Sequence, residues 1–218
     1  MTNHKKTLFL AAVAAAVLIA GCAAMEPKPD YDTLVAQMMT DSFRDEGIAK
    51  VDRLQQDPSN AACSKALGGS PPEDVADAIQ QAALKSVRVP ADGKFIGDWR
   101  AGEKLAQNGR GMTWTDKSAA PAANGGNCYN CHQITKAEIS YGTIGPSLYQ
   151  YGKNRGVTDA DSPAARPIVE YTWTKLWNAK AYNACSGMPR FGHAGLLDEK
   201  QLKDLMALIL DPKSPVNQ

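Results

Sequence analysis

The run Cys128-Tyr129-Asn130-Cys131-His132 constrains this 218-residue chain more than any other feature. Two thiols separated by two residues lie on one side of a single helical turn, and an imidazole follows directly. This is the attachment pattern of a c-type haem. The thiols add to two vinyl groups on one porphyrin edge, and the next residue then faces the ring plane, where its imidazole binds iron. A chain with this motif folds around a large flat apolar group as well as around its own side chains. One covalently attached haem c is therefore expected, with Cys128 and Cys131 as its anchors and His132 as an axial ligand. The other ring nitrogen of a ligating histidine needs an acceptor that sets its tautomer. Gly145-Pro146, a short loop downstream and stiffened by its proline, supplies the candidate carbonyl.

Other uses of the pair fit less well. A thioredoxin-type redox site belongs in a βαβ setting, which the pattern of this chain lacks. A zinc site needs further Cys or His ligands, and adjacent Cys131 and His132 rarely both reach one small ion. A disulfide between Cys128 and Cys131 leaves His132 without a purpose.

The sixth iron position is filled in an electron carrier and open in a protein that binds or activates a small molecule. The chain has three histidines: His4 near the start, His132, and His193. Met188 lies before Pro189 in NACSGMPRFGH, a stretch too rich in turn formers to be helical. Its soft thioether favours ferrous iron and leads as the second axial ligand. His193, Cys185 and an open position are the alternatives. Met38, Met39 and Met206 read as helix-face residues, the ordinary use of methionine.

The first 24 residues read as an export signal. Lys5 and Lys6 precede an unbroken apolar run of 13 residues, Leu8 to Ala20, too short to span a bilayer comfortably. Two processing routes fit. Ile19-Ala20-Gly21-Cys22 matches the site at which bacterial lipoproteins are cut and lipidated on Cys22, giving a membrane tether, and Cys22-Ala23-Ala24 suits ordinary signal peptidase. Either route predicts an exported, periplasmic chain in an oxidising compartment. Of 24 basic and 23 acidic residues, Lys5 and Lys6 lie in the signal, so the remainder carries a net charge near −1. That balance gives no basic footprint for nucleic acid. Among five cysteines, Cys63 and Cys185 remain once the haem pair and Cys22 are set aside. Pairing them would pin the N-terminal region beside Met188; a free thiol or a bond to another chain is the alternative.

Helical periodicity dominates and strand-like alternation is scarce, so the expected fold is mainly α. Helices are predicted over residues 31–56, from a capping box at Ser70-Pro-Pro-Glu73, over about 98–108, over 164–178 and from Asp198 to Leu210. Residues 109–127 and 141–163 read as loops. The domain reading is a signal peptide over 1–24, a helical N-terminal extension over 25–97 and a monohaem domain over 98–218.

GDWRAGEKLAQNGRG, GGNCYNCHQI, YGTIGPSLYQYGKNRG and CSGMPRFGHAGLLDEKQLKDLMALILDPKSPVN together resemble the SoxX subunits of the SoxAX cytochromes of sulfur-oxidising bacteria. The similarity spans about residues 31 to 217. It implies a class I cytochrome c domain with a helical N-terminal extension, and His132 and Met188 as axial ligands. It also implies a SoxA-like partner subunit. Such a complex is an L-cysteine S-thiosulfotransferase, which oxidatively joins thiosulfate to a cysteine of a SoxYZ-like carrier. On this resemblance the chain itself only transfers electrons, passing them to a small acceptor cytochrome. A free-standing periplasmic electron shuttle and a haem-based ligand sensor are the competing readings. One departure from ordinary cytochromes c is that Leu205 and Leu208, not an aromatic residue, stand opposite Gly102.

Overall fold

A computed structural model describes residues 29–218. The signal segment and Cys22 lie outside the described residues. Among the described residues six α-helices are formed: α1 (Tyr31–Ser42), α2 (Pro58–Lys65), α3 (Glu73–Lys85), α4 (Trp99–Gln107), α5 (Arg166–Trp177) and α6 (Glu199–Leu210), joined by loops and short 3₁₀ turns. Among the described residues the only β pairing is an isolated bridge between Glu46 and Ala49. The chain divides into two compact units, Met1–Phe43 and Arg44–Gln218.

In the first unit, Asp30 caps α1 by accepting from the Thr33 N–H at 3.2 Å. The helix predicted over 31–56 stops at Ser42, where Phe43 turns extended. In the second unit, residues 46–49 make a tight turn with Gly47 at φ +54°. A β-carbon on Gly47 would lie 2.3 Å from the Trp114 carbonyl oxygen, so the turn is fitted against a distant loop and helix is excluded there. α2 went unrecognised because Pro58–Lys65 has too few apolar residues to show a period. Its start is nonetheless local chemistry: Asp57 accepts from the Asn60 N–H at 2.9 Å and Pro58 occupies the first turn. The capping box expected at Ser70 is not used. α3 begins after Pro72, whose extended backbone sets the entry without any side-chain cap.

The core of the second unit is built on α6, whose Leu202, Leu205, Met206, Leu208 and Leu210 are almost fully buried. Asp198 and Gln201 close a reciprocal capping box at its start. α4 lies against α6 at Gly102, where a β-carbon would sit 2.1 Å from the Asp204 carbonyl oxygen. Buried Asp204 also ties the two helices: it accepts from the Asp98 N–H at 2.9 Å and from Lys200 Nζ at 2.7 Å. The segment after α3 crosses α5, whose Trp173 and Trp177 indoles donate to the Arg88 and Ser86 carbonyls at 2.8 and 2.9 Å. Phe95 meets Trp173 edge-on at 5.3 Å. At the C-terminus, buried Asn217 donates to the Ile209 and Asp211 carbonyls and accepts from the Gly152 N–H. It thereby closes the end of α6 onto the loop that follows the cysteine motif.

Candidate haem-binding site

Asn127, at φ +49°, turns the chain into a 3₁₀ turn over Cys128–Asn130. The turn is closed by the Cys131 and His132 N–H groups, which both donate to the Cys128 carbonyl at 3.1 and 2.9 Å. Gly125 and Gly126 bring this segment against the end of α4, and a β-carbon on Gly125 would lie 1.8 Å from the Asn108 carbonyl oxygen. Tyr129 points inward and is buried.

The loop from 141 to 148 covers the motif. Gly142 donates to the Tyr129 carbonyl at 2.7 Å, Gly145 to the Cys131 carbonyl at 2.8 Å, and Leu148 to the Gln133 carbonyl at 2.7 Å. Gly145 lies so close to the His132 ring that a β-carbon there would be 2.2 Å from Cε1. The Pro146 carbonyl oxygen stands 2.7 Å from His132 Nδ1. A carbonyl only accepts, so Nδ1 carries the proton and Nε2 keeps its lone pair for a metal. The acceptor lies in Gly145-Pro146, the pair expected from the sequence, and is the Pro146 carbonyl.

The four described cysteines divide in two. Cys63 and Cys185 form a disulfide across 122 residues, while Cys128 and Cys131 are free thiols. Burial pushes the Cys128 thiol up to about 12, with neighbouring Cys131 adding to the shift. Among the described residues no group of three or more Cys, His, Asp or Glu side chains could hold a metal ion. The donor set is that of an iron porphyrin: two thiols for the ring edge and one imidazole with a free lone pair.

Met188 is half-buried, and it packs with Cys128, Leu105, Leu148 and Trp177 against the same core. Its N–H donates to Ser186 Oγ at 3.3 Å. His193 is exposed, and its N–H donates to the Trp177 carbonyl at 3.0 Å, which places it beside α5 by its backbone. Met206 is fully buried within α6, whereas Met38 is exposed on α1.

Three residues near Met188 have roles that sequence inspection missed. Arg190 pairs with Asp57, the cap of α2. Burial acts to raise the Asp57 carboxyl, but the Ser59 hydroxyl, the Asn60 N–H and the Arg190 guanidinium outweigh it and hold it well below the usual carboxylate range. Lys180, almost fully buried, donates to the Ala184 carbonyl at 2.9 Å, and its burial lowers it from the usual ammonium value. Asp57-Pro58 is a readable helix start, but nothing in the sequence indicates that its carboxylate reaches Arg190.

A helical domain carrying a two-thiol, one-histidine cradle defines a haem protein of the covalently attached class. Residues 100–212 match the Cytochrome c family, and the chain belongs to it. It therefore carries covalently attached haem c and serves electron transfer. Over 221 residues the chain is also 32% identical to an uncharacterized lipoprotein of Aquifex aeolicus (strain VF5), with 98% of each chain covered.

Proposed function

We propose that this protein is a periplasmic monohaem electron-transfer subunit in which His132 and Met188 are the axial ligands of the iron. The observation that carries this reading is the 2.7 Å contact from His132 Nδ1 to the Pro146 carbonyl, which leaves Nε2 free on a half-buried imidazole beside the Cys128 and Cys131 sulfurs. Haem supplies a one-electron ferric–ferrous couple when bound. Cys128 and Cys131 anchor its edge, Pro146 and Gly145 orient the His132 ring, and Met188 offers a soft donor from a separate loop. Soft sulfur on the sixth side favours the ferrous state and raises the potential. The ferric protein should show the weak far-red sulfur-to-iron band, and Met188→Ala should abolish it. A band that survives the substitution would remove Met188 from the iron.

The finer reading is a SoxX-like subunit paired with a SoxA-like cytochrome. In it, the complex joins thiosulfate to a cysteine of a SoxYZ-like carrier, and this chain relays the electrons to a small acceptor cytochrome. The MPRFG and DPKSPVN stretches of the resemblance support it. So does an exposed apolar surface at the attachment segment: Ile139 lies just before the loop covering Cys131 and His132 and Ile144 lies within it, 95% and 87% exposed. Exposed apolar groups of this size beside a redox centre suit transient docking of another protein. The lipoprotein relative supports export and a tether through Cys22. Affinity purification of the tagged chain from its native host tests the reading. Recovery with a larger cytochrome supports it, and recovery as a lone monomer favours a free-standing shuttle.

A further inference from the structure

α2 has no buried residue, and beneath it lies a hollow of about 490 Å³ lined by Pro58, Ala62, Val75, Ile79, Asn178 and Arg190 among others. Apolar burial therefore does little to hold this helix in place. Two specific links do so, and both end on the loop that carries Met188. At the start of α2, Asp57 pairs with Arg190, two residues after Met188. In its last turn, Cys63 is bonded to Cys185, three residues before Met188.

Between those two points the Met188 side chain packs against the core, but the backbone is held by few hydrogen bonds, the Ser186 N–H to the Asn183 carbonyl among them. Gly187 has open space around it, and the Met188 N–H has only the 3.3 Å contact to Ser186 Oγ within its own turn. Lys180 holds the loop further back, at the Ala184 carbonyl. An irregular segment with so few internal bonds populates alternative conformations unless its ends are fixed.

We infer that α2 is a clamp on the sixth-ligand loop: the Cys63–Cys185 bond and the Asp57–Arg190 pair are positioning contacts that keep the Met188 thioether on the iron and the sixth site closed. This rests on Met188 as the axial ligand. Opening the clamp frees the loop at both sides of Met188 and raises the fraction of protein with a vacant sixth position. An external ligand then binds in proportion to that fraction. A dithiol is the class of reagent that breaks its covalent link, on the Cys185 side, and substitution of Asp57 removes the link on the Arg190 side. The S–S bond breaks, each sulfur takes a hydrogen, and the dithiol gives up two electrons and two protons as it closes to its own disulfide.

The test uses the holoprotein with haem content verified. Ferrous wild type is prepared with ascorbate, which leaves the disulfide intact, or with excess dithiothreitol, and carbon monoxide binding is measured in each. The triple variant Cys63→Ser, Cys185→Ser, Asp57→Asn is compared in parallel; asparagine keeps the oxygen that caps α2 and removes the charge. The clamp predicts an apparent carbon monoxide affinity at least about tenfold higher in the opened forms, matching a tenfold rise in open fraction. It also predicts a weakened far-red band in the ferric triple variant. If wild type shows that band, Met188→Ala abolishes it, and the opened forms match wild type in both readouts, the clamp is wrong while the axial assignment stands. If wild type lacks the band, the axial assignment fails and the clamp falls with it. Should the triple variant not fold, the dithiothreitol comparison on folded wild type decides alone.

Discussion

At Gly145 the site leaves no room for even a methyl group. A β-carbon there would lie 2.2 Å from His132 Cε1, so alanine must displace either the ring or the covering loop. Gly145→Ala is expected to cost about 1–3 kcal/mol, as overpacking in a tight core does. It should also lower haem incorporation by disturbing the His132–Pro146 bond; pyridine haemochrome yield and chemical denaturation measure the two effects. Asp57 gives a pH dependence. Its carboxyl is held below the ordinary 3.8, so its contribution to stability is complete above about pH 4 and disappears as pH falls through the lowered value. The Tm difference between wild type and Asp57→Ala should therefore shrink steadily as pH falls from about 4 to 2; a constant difference would mean that the Ser59, Asn60 and Arg190 contacts together do not favour the ionised carboxylate. The His132 acceptor was readable from the sequence because only 14 residues separate it from Pro146, within one covering loop. The Asp57–Arg190 pair, 133 residues apart, was not. Charged residues are common on surfaces, and nothing local marks which two will meet.

Helix positions were legible where capping chemistry is local. Asp98 and Asp198 each bond an N–H two or three residues ahead, and α4 and α6 begin there as expected. The extension was read less accurately. Apolar spacing over 31–56 resembled one long helix, but the Gly47 turn against Trp114 interrupts it, a contact that exists only after folding. α2 shows no apolar stripe because it has almost no core to face. The opposition of Gly102 to the C-terminal helix was readable in outline, and the structure brings Asp204 and Leu208 onto it. Gly102→Ala should force α4 and α6 apart at a cost of about 1–3 kcal/mol. For a chain of this size that lowers Tm by roughly 2–12 °C, measurable by calorimetry. An unchanged Tm would mean that the crossing yields easily.

In the molecule as a whole, the Cys63–Cys185 bond is the long-range covalent constraint among the described residues. Loop entropy across 122 residues puts its contribution at up to about 5 kcal/mol. Cys63→Ser should thus lower the unfolding free energy by several kcal/mol, and the same substitution should have almost no effect on protein unfolded from the reduced state. Intact mass under non-reducing conditions, with and without alkylation, checks the bond directly. The sequence alone determined the cofactor and its mode of attachment, because two thiols and an imidazole within five residues are brought together by a single turn of chain. It also determined the mainly helical class, through periodicity and caps that act over three or four residues. Only the tertiary structure decided how the extension is used. The Cys63–Cys185 pairing could be expected from the cysteine count, but an ion pair and two tryptophan indoles join segments 85 to 133 residues apart, and such meetings depend on the packing of the entire chain, which leaves no local mark in its sequence.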